Sequence, residues 1–541
     1  MKIIGFQSGH DVSYCSLEDG VPTVHNEWER FLRCKEPQGD GLKFLFDKEE
    51  GTGFFEGVAF FTHGNPRTRD GEWAHRHNPD TGEWPCNVIE YENKMKLTGA
   101  PYHEISHHLS HAANAFFSSN FDKAMILTLD GGGWELKTQY DELEEDRITA
   151  GAVYYGEGTK LTPRGVSTTQ ELNLGGIWDR LGRDVLGLSW GYPGGTAAGT
   201  LMAMAALGTV NQELLREGLV ADERVNFLKD WVGDDDQRKY DLAATLQFFT
   251  EEIIKNIIEM WIKEYKEETN SDLEYLCLAG GVALNSVCVG KIQDWFPQIK
   301  EIYIPPTPYD SGLAIGSAQY LYHHILDNPR VDWDGNASPY LGRPYSEDDV
   351  LLAVKDHDLD FERVTDEDVI DLISKDDTVI SVFGGGSESG RRALGNRSIL
   401  ADPRSKTMKA VINEKVKHRQ SFRPFAPSIL REEVSNWFVR DVNSPYMSIV
   451  LPFKDEVVDK VPAVCHVDNT ARLQTVTEKD NAWYYNFIKK FGEKTGVPIL
   501  LNTSFNDREP IVETPDNAIS CFQKTNIDYL YFFDCGILIK K

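Results

Sequence analysis

The chain is 541 residues long, carries a formal net charge of −29, and is 41% hydrophobic and 26% charged. That apolar content suits an ordinary protein with sizeable cores, and about 100–200 residues per domain predicts three or four structural units fused into two lobes. The acidic balance disfavours a protein that coats nucleic acid or anionic membrane non-specifically, while leaving room for a local basic pocket.

In chain order, residues 2–6 (KIIGF) read as a strand ending in the turn QSGHD, and VPTVHNEW reads as a second strand after the Asp19–Gly20 turn. The stretch 36–100 is rich in Gly, Asp, Asn and Trp and has no assignable period. A histidine-rich helix is predicted at about 104–118. KAMILTLDGGG follows as an apolar strand with Asp130 at its end, then TAAGTLMAMAALG as a helix. Residues 241–268 have the period of a long amphipathic helix. YLCLAGGVALNS is a buried strand, a glycine turn and a helix start, and IYIPPTPYDSGLAIGSAQYLY is a strand, a proline-rich loop and a helix. The turn-rich segment 326–346 makes a boundary, dividing the chain into 1–340 and 341–541. Beyond it a helix, the strand TVISVF and a glycine loop open a second unit, and no tandem repeat is evident.

The eight cysteines form no CxxC pair, and several lie in apolar runs, the pattern of reduced thiols in a cytoplasmic protein. MKIIGFQSGHD lacks the apolar core of a secretory leader, and no run of about 18 apolar residues predicts a membrane span.

HEISHHLSHAANAF holds four histidines, and helical spacing puts His103, His107 and His111 on one face, with His108 elsewhere. An i, i+4 imidazole pair can grip one ion, although solvated or core histidines give the same short pattern. Carboxylates decide between the two. Asp130 and Asp310 both close strand-like segments, and with His107 and His111 they would make a mixed nitrogen and oxygen site suited to iron, zinc or manganese. Three loops of the form strand then glycine or aspartate, at 5–11, 127–133 and 276–285, suggest a nucleotide-binding fold of the actin and sugar-kinase type; glycines serving only tight turns are the alternative.

From 389 to 430 the charge reverses, with Arg391, Arg392, Arg397, Arg404, Lys415, Lys417, Arg419 and Arg423, followed by Arg472 and Arg508. Guanidinium forks bind phosphate and carboxylate, so a basic pocket in an acidic chain suits a small anion. Surface pairing with the many carboxylates is the other reading.

These motifs resemble the O-carbamoyltransferases of antibiotic and nodulation-factor biosynthesis, whose N-terminal domain is similar to the universal tRNA threonylcarbamoyl-transfer protein. The matching residues are GHD (9–11), ERFLRCK (29–35), HHLSH (107–111), LTLDGGG (127–133), LAGGVALN (278–285), PPTPYDSG (305–312), SGRRALGNRSILADPR (389–404), NEKVKHRQSFRPFAPSIL (413–430), HVDNTARLQTV (466–476) and LLNTSFND–EPIVETP (500–515). Segments 36–100 and 134–190 match loosely. The chain departs from the family's usual pattern at Thr200, where a lysine is usual, at Ala203 and Leu207, at Arg391, where a proline is usual, and in the loop Asn506–Pro510, which is one residue shorter.

The resemblance implies an α/β fold: an actin and sugar-kinase-like (ASKHA) N-terminal lobe of two related subdomains, 1–340, and an α+β YrdC-like C-terminal domain, 341–541. It implies carbamoyl phosphate and ATP as substrates, a carbamoyl adenylate formed in the C-terminal domain, and transfer to an acceptor hydroxyl in the N-terminal lobe. For the first site the expected residues are Arg392, Lys415, Arg423 and Arg472, with Arg419 competing with Arg423 and with Asn502, Thr503 and Asn506 as polar contacts. Gly131, Gly132, Gly199, Gly280, Gly281 and Asn285 are the candidate nucleotide contacts, with Mg expected beside ATP and Fe, Zn or Mn at the histidines. His10 suits a general base at neutral pH, with Asp11 as second choice or orienting partner. The acceptor is a natural product, a sugar or 5-hydroxymethylcytosine in DNA, and a homodimer stays open. A tRNA threonylcarbamoyl-type transferase, an actin-like kinase and a non-catalytic nucleotide-binding scaffold are the competing readings.

Overall fold

The computed structural model describes residues 1–37, 57–62, 101–141, 143–188, 197–219, 224–331, 339–375, 377–420 and 422–541. Most of the 36–100 stretch, including RTRDGEWAHRHNPDTGEW, therefore lies outside the described residues.

The first sheet is built on β1 (Lys2–Ser8), β2 (Ser13–Glu18), β3 (Val21–Glu27), β4 (Gly57–Thr62) and β5 (Tyr102–Glu104), in the order β3-β2-β1-β4-β5. β1 is apolar on both faces, as a central strand must be, and pairs antiparallel with β2 and parallel with β4. Asp19 (φ 48°) and Gly20 (φ 86°) make the tight β2–β3 turn, both at positive φ. The sequence reading placed VPTVHNEW as the second strand; it is the third. SYCSLE, which mixes small polar and apolar residues but is buried except at Glu18, forms β2 before it.

The second sheet contains β6 (Lys123–Glu135), β7 (Arg147–Glu157), β8 (Lys160–Thr168), β9 (Tyr275–Ala279) and β10 (Glu301–Tyr303), in the order β10-β9-β6-β7-β8. Its first three strands are antiparallel, and its last two run parallel to β6. Strand for strand this repeats the order and sense of the first sheet. The expected pair of related subdomains is thus present as topology, with no sequence repeat to announce it. In both halves the fifth strand leads to a helix: α2 (His107–Ser118) in the first, and Leu313–Gln319 in the second.

All twelve residues of α2 are buried, which its small HAANA-type composition permits between two sheets. The predicted start at 104 is corrected to His107. His103 belongs to β5, so it does not share the face of His107 and His111. Ser106 is extended at the helix entrance, and its hydroxyl accepts from Leu136 N–H (2.9 Å) instead of capping. The long helix Asp236–Thr269 is capped by Asp235 and buries Leu242, Leu246, Thr250, Ile254, Ile258 and Trp261 along one face.

The second unit is a nine-stranded sheet, order β11-β19-β18-β12-β13-β17-β14-β16-β15, from β11 (Glu362–Arg363), β12 (Val379–Phe383), β13 (Arg397–Ala401), β14 (Ala426–Leu430), β15 (Ile449–Pro452), β16 (Thr470–Val476), β17 (Ile499–Ser504), β18 (Tyr529–Phe532) and β19 (Ile537–Lys540). The short helix α1 (Trp28–Leu32) fastens it to the first unit. Arg30, 2% exposed, donates to the carbonyls of Glu388 (2.8 Å) and Gly390 (2.7 Å) and lies 3.5 Å from Glu27. Arg33 reaches Glu509, Pro510 O and Ile511 O. Removing one partner of such a buried set costs about 3–5 kcal/mol, so the docking of the two units is built into the fold. No helix among the described residues is long and apolar enough to cross a membrane.

Candidate functional site

β6 does not end at Asp130 as expected. It runs on to Glu135, and its pairing with β7 is interrupted between Leu129 and Gly133. Asp130, Gly131 and Gly132 bulge from the ladder there, which re-aims the Asp130 carboxylate at α2. Gly133 returns the strand to register beneath His107; a Cβ at that position would lie 2.1 Å from the His107 ring.

The four residues His107, His111, Asp130 and Asp310 come together, with one ligand atom from each lying within 4.8 Å of all the others. His111 Nε2 is 3.1 Å from Asp130 Oδ2 and 3.4 Å from Asp310 Oδ1; His107 Nε2 is 3.7 and 3.9 Å from the same atoms. The two Nε2 atoms are 3.1 Å apart. Two carboxylates, Asp310 buried and Asp130 half-buried, face two buried imidazoles and demand positive charge. Burial opposes a charge on His111, but hydrogen bonds to Asp130 and Asp310 push it up to about 9. The donor set therefore fits a divalent ion of the zinc, iron or manganese class.

His10 and Asp11 follow β1 and border this group. His10 Nε2 is 3.3 Å from Asp310 Oδ2 and Nδ1 is 3.1 Å from Asp11 Oδ2. Desolvation works against an imidazolium there, yet the Asp310 and Asp11 carboxylates push His10 up to about 10. Burial disfavours the Asp11 carboxylate, but Arg391 and His10 hold its pKa below the usual range.

The glycine loops act differently from the expectation. Gly131 N–H donates to Asp130 Oδ1 (2.6 Å), Gly281 N–H to Asp130 Oδ2 (3.0 Å) and Gly280 N–H to Pro308 O (2.7 Å). These N–H groups, read from the sequence as candidate nucleotide contacts, here hold the Asp130 carboxylate and its loop. Gly132 (φ 149°) lies in the bulge. Asn285 caps the helix Ser286–Trp295 through Cys288 N–H and exchanges two amide hydrogen bonds with Gln247, so its side chain is also committed internally.

The second cluster lies where the two units meet. Arg392 is held down to about 10 by burial, Arg391 and Arg423; Arg472 is well below the usual range through burial, Arg392 and Arg423; burial alone lowers Arg423. These cations crowd one another, and no carboxylate among the described residues pairs with Arg392, Arg423 or Arg472. Uncompensated guanidinium groups of this kind are suited to binding a small anion. Arg472 Nε donates to Ser286 Oγ (2.9 Å) across the boundary, and an Arg423 Nη2 lies 4.0 Å from where a Cβ on Gly199 would stand. Arg419 is lowered to about 9 by burial and Arg423.

Several of the expected contact residues have internal partners. Lys415 Nζ pairs with Asp528 (2.8 Å), outside the arginine cluster. Lys417, two residues on, is the buried lysine. It bonds Ser504 O (2.6 Å), Asn506 O (2.8 Å) and Asn506 Oδ1 (2.7 Å), and burial together with Arg419 drives its pKa well down. Asn502 donates to Ala393 O, Ser428 Oγ and Gln474 Oε1 inside the sheet, and Asn506 holds Lys417 and Glu509 O, so both shape the loop from within. Thr503 pairs with Ile399 in the β13–β17 ladder and is half-buried. Arg397 is fully buried and donates to Gly384 O and Gly385 O, and Arg404 pairs with Asp402. Burial lowers Lys35, Glu29 works the other way, and Arg391 and Arg423 lower it further.

Residues 371–540 match the model of the carbamoyltransferase C-terminus, and 84–229 with 223–319 match that of the carbamoyltransferase N-terminus. A Synechocystis protein, sll1178, is 34% identical over 78% of this chain and 74% of its own length. The chain belongs to the carbamoyltransferase family. Nodulation protein NolO of Bradyrhizobium diazoefficiens is 33% identical, covering 79% of this carbamoyltransferase and 77% of its own length. A Methanocaldococcus jannaschii protein, MJ1051, is 29% identical over 98% of both chains. The two clusters thus lie in an enzyme of the carbamoyltransferase class, one cluster poor in positive charge and the other poor in negative charge.

Proposed function

We propose that this carbamoyltransferase carries a carbamoyl group from carbamoyl phosphate, through carbamoyl adenylate, to an acceptor hydroxyl. The observation that carries this reading is the crowding of Arg392, Arg423 and Arg472 without a carboxylate partner. Carbamoyl phosphate and ATP are the anions that would relieve it. Water cleaves carbamoyl phosphate to carbamate and phosphate. A carbamate oxygen then attacks the α-phosphorus of ATP, forming carbamoyl adenylate as the bond to pyrophosphate breaks. Carbamate loses carbon dioxide readily, so this step requires shielding from bulk water. Magnesium accompanies ATP.

Transfer is assigned to the His10 side of the same interface. The acceptor oxygen bonds to the carbamoyl carbon, the bond to the adenylate phosphate breaks, and AMP leaves with the electron pair. His10 is the proton acceptor, with Asp11 fixing the Nδ1 side of its ring. His107, His111, Asp130 and Asp310 would hold a divalent ion, which would neutralise Asp310, weaken the carboxylate pull on the His10 proton that Asp11 shares, and supply Lewis acidity. The net charge of −29 favours a small hydroxyl compound over a polyanion as acceptor, with a hydroxymethylated base as the second choice.

The test is ATP cleavage by the purified enzyme, followed as pyrophosphate release with and without carbamoyl phosphate. Carbamoyl-phosphate-dependent release is expected, together with a carbamoyl-sized mass gain on one member of a panel of glycerol, methyl glucoside, 5-hydroxymethyldeoxycytidine and hydroxymethylated duplex DNA. Release of ADP and phosphate instead would favour a kinase, and no cleavage at all a scaffold.

A further inference from the structure

Arg391 and Arg392 are neighbours in the loop that leads from the second unit, yet they face different clusters. Arg392 stands among the anion-pocket arginines. Arg391 crosses to the first unit, where its Nη2 donates to both Asp11 oxygens (2.9 and 3.2 Å) and its Nη1 lies 2.7 Å from Glu36 Oε1. The guanidinium also lies over the Tyr309 ring, 4.3 Å from its centroid.

The loop is pinned on both sides of its backbone. Gly390 N–H donates to Glu27 Oε2 (2.9 Å), and Gly390 O accepts from Arg30 (2.7 Å). Gly390 has φ 94°, and a Cβ there would lie 2.3 Å from Pro306 O, so the loop can press directly on the segment that carries Asp310. Glu27 is itself fixed by Tyr309 Oη (2.5 Å) and Ser311 Oγ (2.7 Å), the residues flanking Asp310. Asp11, held by Arg391, has φ 54°, a left-handed backbone that aspartate tolerates better than most residues.

We propose that Arg391 is a positioning residue for carbamoyl transfer: from the adenylate-forming unit it holds Asp11, and through Asp11 the ring of His10. This rests on the two-step reading above. A bidentate guanidinium fixes both the place and the plane of a carboxylate, and Asp11 in turn fixes the Nδ1 side of His10. Arg391 touches neither reacting group, so its loss leaves adenylate formation in place and slows only its discharge.

The experiment is a single-turnover measurement on the full-length enzyme with carbamoyl phosphate, ATP and glycerol as a generic primary alcohol. The pyrophosphate burst reports adenylate formation, and AMP reports discharge to glycerol or water. For Arg391→Gln the expected result is a pyrophosphate burst within about twofold of wild type and AMP appearance slowed by about tenfold or more, with carbamoyl adenylate accumulating. Arg391→Lys should restore part of the AMP rate, and it serves as the reading variant if Arg391→Gln does not fold. Equal AMP rates in wild type and variant, or pyrophosphate and AMP falling in the same proportion, overturn the proposal. A wild-type enzyme that releases no carbamoyl-phosphate-dependent pyrophosphate overturns the two-step reading itself, and the role of Arg391 with it.

Discussion

His10 and Asp310, 300 residues apart in the chain, meet at 3.3 Å, imidazole Nε2 to carboxylate Oδ2, while the other oxygen of the same carboxylate faces His111 at 3.4 Å. One side chain thus belongs both to the four-residue centre and to the candidate base. Asp310→Asn keeps the shape and removes the charge. We expect bound metal to fall to a small fraction of wild type and carbamoyl transfer to drop by about 100-fold. Elemental analysis of the purified variant beside a product assay checks both. Full metal content in the variant would dismantle the assignment of Asp310 as a ligand.

Arg472 reaches Ser286 in the first unit from β16 of the second. Arg472→Met should raise the carbamoyl phosphate concentration needed for pyrophosphate release by about 10–100-fold, the worth of a charge-assisted contact of about 1.5–3 kcal/mol. Lys415→Met should leave it near wild type, because Lys415 pairs with Asp528 outside the cluster. A reversed ranking in the same titration would restore Lys415 to the pocket.

Gly133 carries no Cβ because the His107 ring occupies that space, at 2.1 Å. Gly133→Ala should destabilise the fold by about 1–3 kcal/mol and displace His107. Thermal melting and metal content should fall together, and a variant with wild-type values for both would show that the bulge yields without cost.

Glu135 is fully buried behind the histidines, taking His108 N–H (2.8 Å) and the Tyr140 hydroxyl, and burial pushes it up to about 8 against these hydrogen bonds. The unfolded chain releases this proton near pH 4.5 and the folded chain only near 8. Between those values the folded state binds the extra proton, so stability falls as pH rises and levels off above about 8. Glu135→Gln mimics the protonated acid and should flatten this slope in chemical denaturation across the window. Parallel slopes for both proteins would count against a neutral Glu135.

The sequence reading reached the four-residue centre because each member is marked locally: an i, i+4 histidine pair, and aspartates beside glycine or after a strand. It misjudged His103 because periodicity cannot tell where a helix begins when the entrance residue, Ser106, turns its hydroxyl to another strand. It chose Lys415 over Lys417 because only the packing of the turn Asn413–Lys417 decides which of the two lysines is buried. The hydrogen bonds of Asn285 to Gln247, Gly281 to Asp130 and Gly280 to Pro308 were not legible because these partners are remote in sequence. The cross-unit bridge from Arg391 to Asp11 has no local signal at all.

The doubled strand order decides where the reactive side chains sit. His10 and Asp11 follow the first strand of one half, and Asp130 lies on the first strand of the other; His107 and His111 follow the fifth strand of one, and Asp310 the fifth of the other. Reactive groups thus occupy equivalent stations in the two halves, with unlike side chains at each, so the centre is asymmetric although the strands that carry it are not.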